Sequence, residues 1–136
     1  QLQVSFSGLT GTTTASHIHA PTASPFSSTA GVATTTPSFA GFPLGVTSGS
    51  YSITLDLTSA SSFNPAFVSA NGGTPAGAES ALAAAIAGGK AYWNIHSSTF
   101  GGGEIRGFLV PVPEPSTVAL LGLSAGALVW RLRRRN

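Results

Sequence analysis

The stretch AYWNIHSSTFGGGEIRGFL, residues 91–109, decides the fold. Two alternating runs flank a glycine triplet, Gly101, Gly102 and Gly103. In the first run, Trp93 and Ile95 alternate with Tyr92, Asn94 and His96. In the second, Ile105 and Leu109 share a side opposite Glu104, Arg106 and Phe108. Successive side chains of a strand point to opposite faces. Glycines supply the backbone freedom of a tight connection. The stretch therefore predicts strands at 91–97 and 104–109 joined as an antiparallel hairpin, with an apolar and a polar face.

Working outward, the same period appears at Leu2, Val4 and Phe6. It appears again at Tyr51, Ile53, Leu55 and Leu57, which alternate with Ser52, Thr54 and Asp56. Residues 31–36, small and β-branched, predict a further strand, whereas 16–19 is too short to assign alone. Gly- and Pro-rich segments at 8–15, 21–28 and 37–49 predict loops, and 63–73 is expected to be irregular, broken by Pro65 and a glycine pair. One helix is expected after Thr74-Pro75. Thr caps, Pro suits the first turn, and Ala78, Leu82 and Ile86 form a stripe that Gly88-Gly89 ends. The expected fold class is all-β, an antiparallel sandwich or open barrel with one short helix, plus a C-terminal transmembrane helix.

The chain has 136 residues, of which 7% are charged, against roughly 25% in ordinary soluble domains. Its net charge of +2 comes from the tail, where Arg131, Arg133, Arg134 and Arg135 stand. Before Pro113 only Lys90 and Arg106 oppose Asp56, Glu79 and Glu104. A phosphate-tracking surface needs several cations on one face, so nucleic acid is excluded as a partner. With no cysteine there is neither a disulfide nor a thiolate metal site.

The tail reads VPEPSTVALLGLSAGALVWRLRRRN from residue 112. Residues 117–130 carry no charge. They are fewer than the ~20 of a comfortable span, a deficit that snorkelling arginines and an interfacial Trp130 reduce. The arginines predict a cytoplasmic end, and hence export of everything before Pro113. Gly122 to Gly126 fits a G-x-S-x-G nucleophile pattern, but inside an apolar helix with no base at hand it has no catalytic context. Pro113, Glu114 and Pro115, the apolar segment and the arginine cluster resemble, in that order, the PEP-CTERM sorting signal of Gram-negative bacteria. The resemblance implies recognition by an exosortase and loss of the helix. It further implies an inner-membrane-anchored precursor and a mature form at the cell surface or in the extracellular matrix. An ordinary C-terminal anchor is the alternative.

The chain holds three histidines: His17 and His19 in SHIHAP, and His96 in the hairpin. If Ile18 faces the core, His17 and His19 share the opposite face, and parity places His96 on the matching face of its own strand. Such a cluster suits copper or zinc, with Glu104 as a fourth ligand or as an orienter of a ligand. The competing expectation is a surface network in which Glu104 pairs with Arg106 or His96, with Asn94 and Arg106 as further polar members. A shared metal site requires ring nitrogens within ~8 Å of one another, since ligand bonds are about 2 Å.

Three motifs, ASHIHAP at 15–21, YWNIHS at 92–97 and GEIRG at 103–107, resemble in this order the CHRD domain, named from chordin. The resemblance spans roughly 1–110 and implies an all-β extracellular domain with no established enzymatic activity. The domain is then 1–110, the Pro-Glu-Pro linker 111–116, and the transmembrane and basic tail 117–136. The chain opens inside a strand without an initiator Met or signal peptide, so the domain's opening strands are expected to precede it. Asp56 is the only aspartate and has no evident partner, so a Ser-His-Asp triad is unsupported. Glu79 and Glu104, on a helix and a strand, offer no paired carboxylates. The leading expectation is a non-catalytic surface or matrix module that binds matrix polysaccharide or protein. The alternative is a copper- or zinc-binding protein built on the histidines. A saccharide platform of Tyr92, Trp93 or Phe108 is a third possibility.

Overall fold

A computed structural model describes residues 1–112. The Pro113-Glu114-Pro115 motif, the apolar segment 117–130 and Arg131, Arg133, Arg134 and Arg135 lie outside the described residues. Among the described residues, no helix is long and apolar enough to cross a membrane.

The hairpin forms as its alternation dictates. Strand β4 (Tyr92–Ser97) pairs antiparallel with β5 (Ile105–Phe108), placing Tyr92 opposite Phe108 and Asn94 opposite Arg106. On its other edge β4 pairs antiparallel with β2 (Thr13–His19), placing His17 opposite Asn94 and His19 opposite Tyr92. Strands β1 (Leu2–Phe6) and β3 (Gly49–Ile53) make a second antiparallel sheet, with Val4 opposite Tyr51. The two sheets form a sandwich. Their inner faces meet through Tyr51 and Trp93, whose rings lie 6.2 Å apart, and Phe39 packs edge-on against Trp93 at 5.3 Å. Ile18, Ile95, Phe6 and Phe42 complete the centre of the core. Gly49 pairs with Phe6, and a Cβ there would sit a tight 3.2 Å from the Phe6 ring.

Helix α2 (Pro75–Ala87) starts where its signals place it. The Thr74 hydroxyl accepts the Gly77 N–H, and Ala78, Leu82 and Ala85 are buried. A second helix, α1 (Pro65–Ala70), occupies part of the stretch expected to be irregular. Pro65 takes the first helical position there, where its missing N–H costs nothing, and the Asn64 side chain caps the Ala66 N–H. Phe67 supplies the buried contact.

Two expected strands differ from the outcome. Residues 31–36 make only isolated bridges. The Ile18 N–H donates to the Thr34 hydroxyl instead of to a backbone carbonyl, while the Ile18 carbonyl accepts from Ala33. A side chain thus substitutes for the ladder at that edge of β2. The strand expected over 50–57 ends at Ile53, opposite Leu2, and Leu55 and Leu57 pack on the core from irregular backbone.

Candidate metal centre

The core face of β2 carries Ser16 and Ile18, and parity sends His17 and His19 to the other side. A bulge near Thr13 and Ala15 sets His96 opposite Ala15, one row beyond the His17–Asn94 pair. The three rings therefore converge. The His17 centroid lies 4.8 Å from that of His19 and 4.7 Å from that of His96. One ligand nitrogen from each histidine falls within 4.8 Å of the others, well inside the reach a shared site requires.

This face is not open to solvent, contrary to the simple inside–outside alternation. His17 and Asn94 are each 6% exposed, and Tyr92 is 3% exposed. The loop at 21–31 covers them. It is fastened by the Phe26 N–H to Gly89, by Ser28 to Arg106 and by Ala30 to His19. Strand β4 is consequently buried on both faces, by core on one side and by loop and histidines on the other.

The hydrogen bonds fix the tautomers. Nδ1 of His17 donates to the Pro37 carbonyl, that of His19 to Ala30 and that of His96 to Gly101, each at 2.8 Å. A carbonyl only accepts, so each Nδ1 carries the proton and each Nε2 presents a lone pair. Nε2 of His17 and Nε2 of His96 stand 3.1 Å apart. Nε2 of His19 is buried with no hydrogen-bond partner among the described residues. Carbonyl partners on the far nitrogen are the arrangement that orients metal-binding imidazoles and raises their basicity.

A proton bridging His17 and His96 is the other way to satisfy the facing lone pairs. Burial opposes it, holding the pKa of His17 below the usual histidine range. The Pro37 carbonyl works against that lowering, and charge on His19 or His96 adds to it. Burial likewise lowers His19, against the pull of Ala30, with His96 and Arg106 adding to the effect. A depressed folded-state pKa means that the unfolded chain binds more protons between that value and the reference of about 6.5. The melting temperature of the metal-free chain should be flat above about pH 6.5 and fall as acidification passes through the folded pKa values. A melting temperature that rises on acidification through this range would contradict the buried, neutral assignment. Glu104 adds its own loss only lower, in the carboxylate range.

Glu104 is not a member of the cluster. Its carboxylate accepts the backbone N–H groups of Thr10 and Gly11, tying the loop before β2 to the hairpin turn. Hydrogen bonds from Ser97 and Thr10 hold its carboxyl below the usual carboxylate range. Its carboxylate thus faces the loop at Thr10 and Gly11, and not His17, His19 and His96 or Arg106 as the sequence led one to expect. Arg106 is exposed. It stacks over Tyr92 at 4.9 Å and Phe108 at 5.6 Å and donates to the Ser28 carbonyl at 2.7 Å. Asn94, expected on the surface, lies instead against the histidines, its Nδ2 3.3 Å from Nε2 of His96. Trp93 is core, 4% exposed, and Tyr92 stacks on His19 at 4.9 Å, so neither offers a saccharide platform. The Pro37, Ala30 and Gly101 carbonyls are backbone groups that no residue pattern announces.

The CHRD domain model matches residues 1–109. The chain belongs to the CHRD domain family. The PEP-CTERM protein-sorting motif follows directly, matching residues 111–135. Together they describe an exported, surface-associated protein with a CHRD domain, for which the sorting motif implies processing by an exosortase. No curated protein and no solved structure matches the chain. The histidines and the hairpin that completes their cluster all lie inside the CHRD match.

Proposed function

We propose that this CHRD domain binds one copper or zinc ion through Nε2 of His17, His19 and His96, as a non-catalytic module at the cell surface or in its matrix. The observation that carries the reading is three Nε2 lone pairs turned toward one another, each with its opposite nitrogen tied to a carbonyl. The protein's own hydrogen bonding answers this only in part: Asn94 Nδ2 reaches Nε2 of His96, while Nε2 of His19 has no donor among the described residues. Two acceptors 3.1 Å apart repel, and a buried acceptor without a donor is costly. A cation answers both. Metal–nitrogen bonds of about 2.0–2.1 Å in a tetrahedral site put ligand nitrogens roughly 3.3 Å apart, so small side-chain movements suffice. Imidazole suits both copper and zinc, and no thiolate competes.

The tail gives the module its place. The precursor is held in the inner membrane by residues 117–130, with the arginines on the cytoplasmic side, until the exosortase acts after Pro113-Glu114-Pro115 is recognised. A matrix polysaccharide or protein is then the macromolecular partner.

Metal content tests the site. The full chain, purified in detergent, exposed to copper or zinc and freed of excess, should retain close to one equivalent. Retention of neither metal would sink the proposal.

A further inference from the structure

The cluster supplies three ligands, and a four-coordinate metal needs a fourth. Resting on the metal-binding reading above, we infer that the fourth ligand is a small exogenous anion, received by Asn94 and Arg106 from the cavity that Asn94 separates from the histidines.

Asn94 is the link. Its amide has two N–H donors, one directed to the Gly102 carbonyl and one to Nε2 of His96, both at 3.3 Å. The network fixes which way the amide faces. Since Nδ1 of His96 donates to Gly101, Nε2 is an acceptor and must meet an N–H rather than the amide oxygen. Gly103 leaves room for this side chain. A Cβ there would lie 2.4 Å from the Asn94 side chain, and its φ of +116° disfavours any other residue.

Metal binding changes the balance of donors and acceptors. Once the lone pair of His96 Nε2 goes to the metal, the second Asn94 N–H loses its acceptor. Asn94 is 6% exposed, and a largely buried donor left unpaired is unfavourable. The donor then lies beside the metal's coordination shell. An anion on the metal, with a hydrogen-bond acceptor within reach of Asn94, restores the lost bond.

The cavity beyond Asn94 supplies the charge. It encloses about 330 Å³ and is lined by Tyr92, Asn94, Thr29, Glu104 and Arg106. The Glu104 carboxylate is ionised too, but it is turned to the Thr10 and Gly11 N–H groups, which leaves Arg106 as the charged group with donors to offer. Arg106 stands opposite Asn94 in the sheet, and among the described residues one of its five N–H groups is committed, to Ser28. A guanidinium with free donors favours a negatively charged ligand over a neutral one. The sequence His17–Asn94–Arg106 across three strands thus runs from ligand to donor to cation.

Azide and copper(II) probe this directly, because an azide-to-copper charge-transfer band arises only when azide enters the coordination sphere. The full chain in detergent is loaded with copper(II), and bound copper is measured before azide is titrated. The expected result is a saturable band whose apparent affinity falls at least roughly tenfold in Arg106→Gln and in Asn94→Ala, with Arg106→Lys between. Bound copper should be unchanged in Arg106→Gln and Arg106→Lys, and for Asn94→Ala the band is read per bound copper. Copper retained without any azide band, or azide affinity indifferent to both Arg106→Gln and Asn94→Ala, would overturn the inference and leave the metal centre standing. No retained copper would overturn both.

Discussion

Saturating copper or zinc is expected to raise the melting temperature of the wild-type chain by on the order of 15–30 °C, and the His17→Ala/His96→Ala variant is expected to show none of this rise. A ligand that binds only the folded state stabilises it by about 4 kcal/mol at a thousandfold excess over its dissociation constant. In a domain near this size each kcal/mol moves the midpoint by roughly 4–8 °C. The unfolded chain keeps its histidines but not their geometry, since His17 and His96 are far apart in sequence and the sheet alone joins them. Removing both leaves only His19, which is no chelate. The metal-free variant should still melt cooperatively, because both substitutions lie on the face of the sheet opposite Ile18, Trp93 and Ile95. Equal metal-induced shifts in wild type and variant would mean that the ion binds elsewhere, and the cluster would lose its role.

Trp93→Ala attacks the same sheet from its other face, and a loss of about 3–5 kcal/mol is expected. Trp93 is buried between Phe39 and Tyr51, and its indole N–H donates to the buried Ser16 hydroxyl. The alanine variant removes the ring, opens a cavity between the sheets and strands the Ser16 hydroxyl. Trp93→Phe keeps most of the apolar volume and removes the hydrogen bond, so its cost should be smaller, on the order of 1–3 kcal/mol. Denaturant unfolding of the two variants separates packing from hydrogen bonding. Because Trp93 neighbours Asn94 and is opposite Ile18 in the β2–β4 pairing, the alanine variant should also weaken metal retention. Equal losses in the two variants would show that the hydrogen bond, not the packing, anchors the sheet.

Much of the fold was legible in the chain. Period-two alternation is a local property, and a run that buries one face must place its apolar residues on that face. The hairpin and the strands of the second sheet were readable for that reason, and helix α2 was readable from its Thr74 cap, Pro75 and apolar stripe. Pro65 misled because a proline reads as a breaker until its position in a helix is known, and at the first turn it is compatible. Residues 31–36 misled because their composition suits a strand, yet the Thr34 hydroxyl takes the bond a strand neighbour would take. Ile105, assigned to the core by parity, is on an edge strand and is 38% exposed.

The site divides in the same way. From the chain alone, parity puts His17 and His19 on one face if Ile18 turns to the core, and His96 on the face of Tyr92 and Asn94, since parity is set residue by residue along each strand. The chain likewise determined the family through three ordered motifs and the address through the tail, because both are linear signals. Tertiary structure alone decided that β2 and β4 are neighbours, in the register that brings Nε2 of His96 to 3.1 Å from that of His17. It also decided that Glu104 ties a loop rather than joins the histidines. Last, it decided which nitrogen carries the proton, because the three carbonyls that choose the tautomer belong to backbone from Pro37, Ala30 and Gly101. Register and loop path are global properties, settled by the joint burial of Ile18, Trp93 and Phe39, and no single strand contains that information.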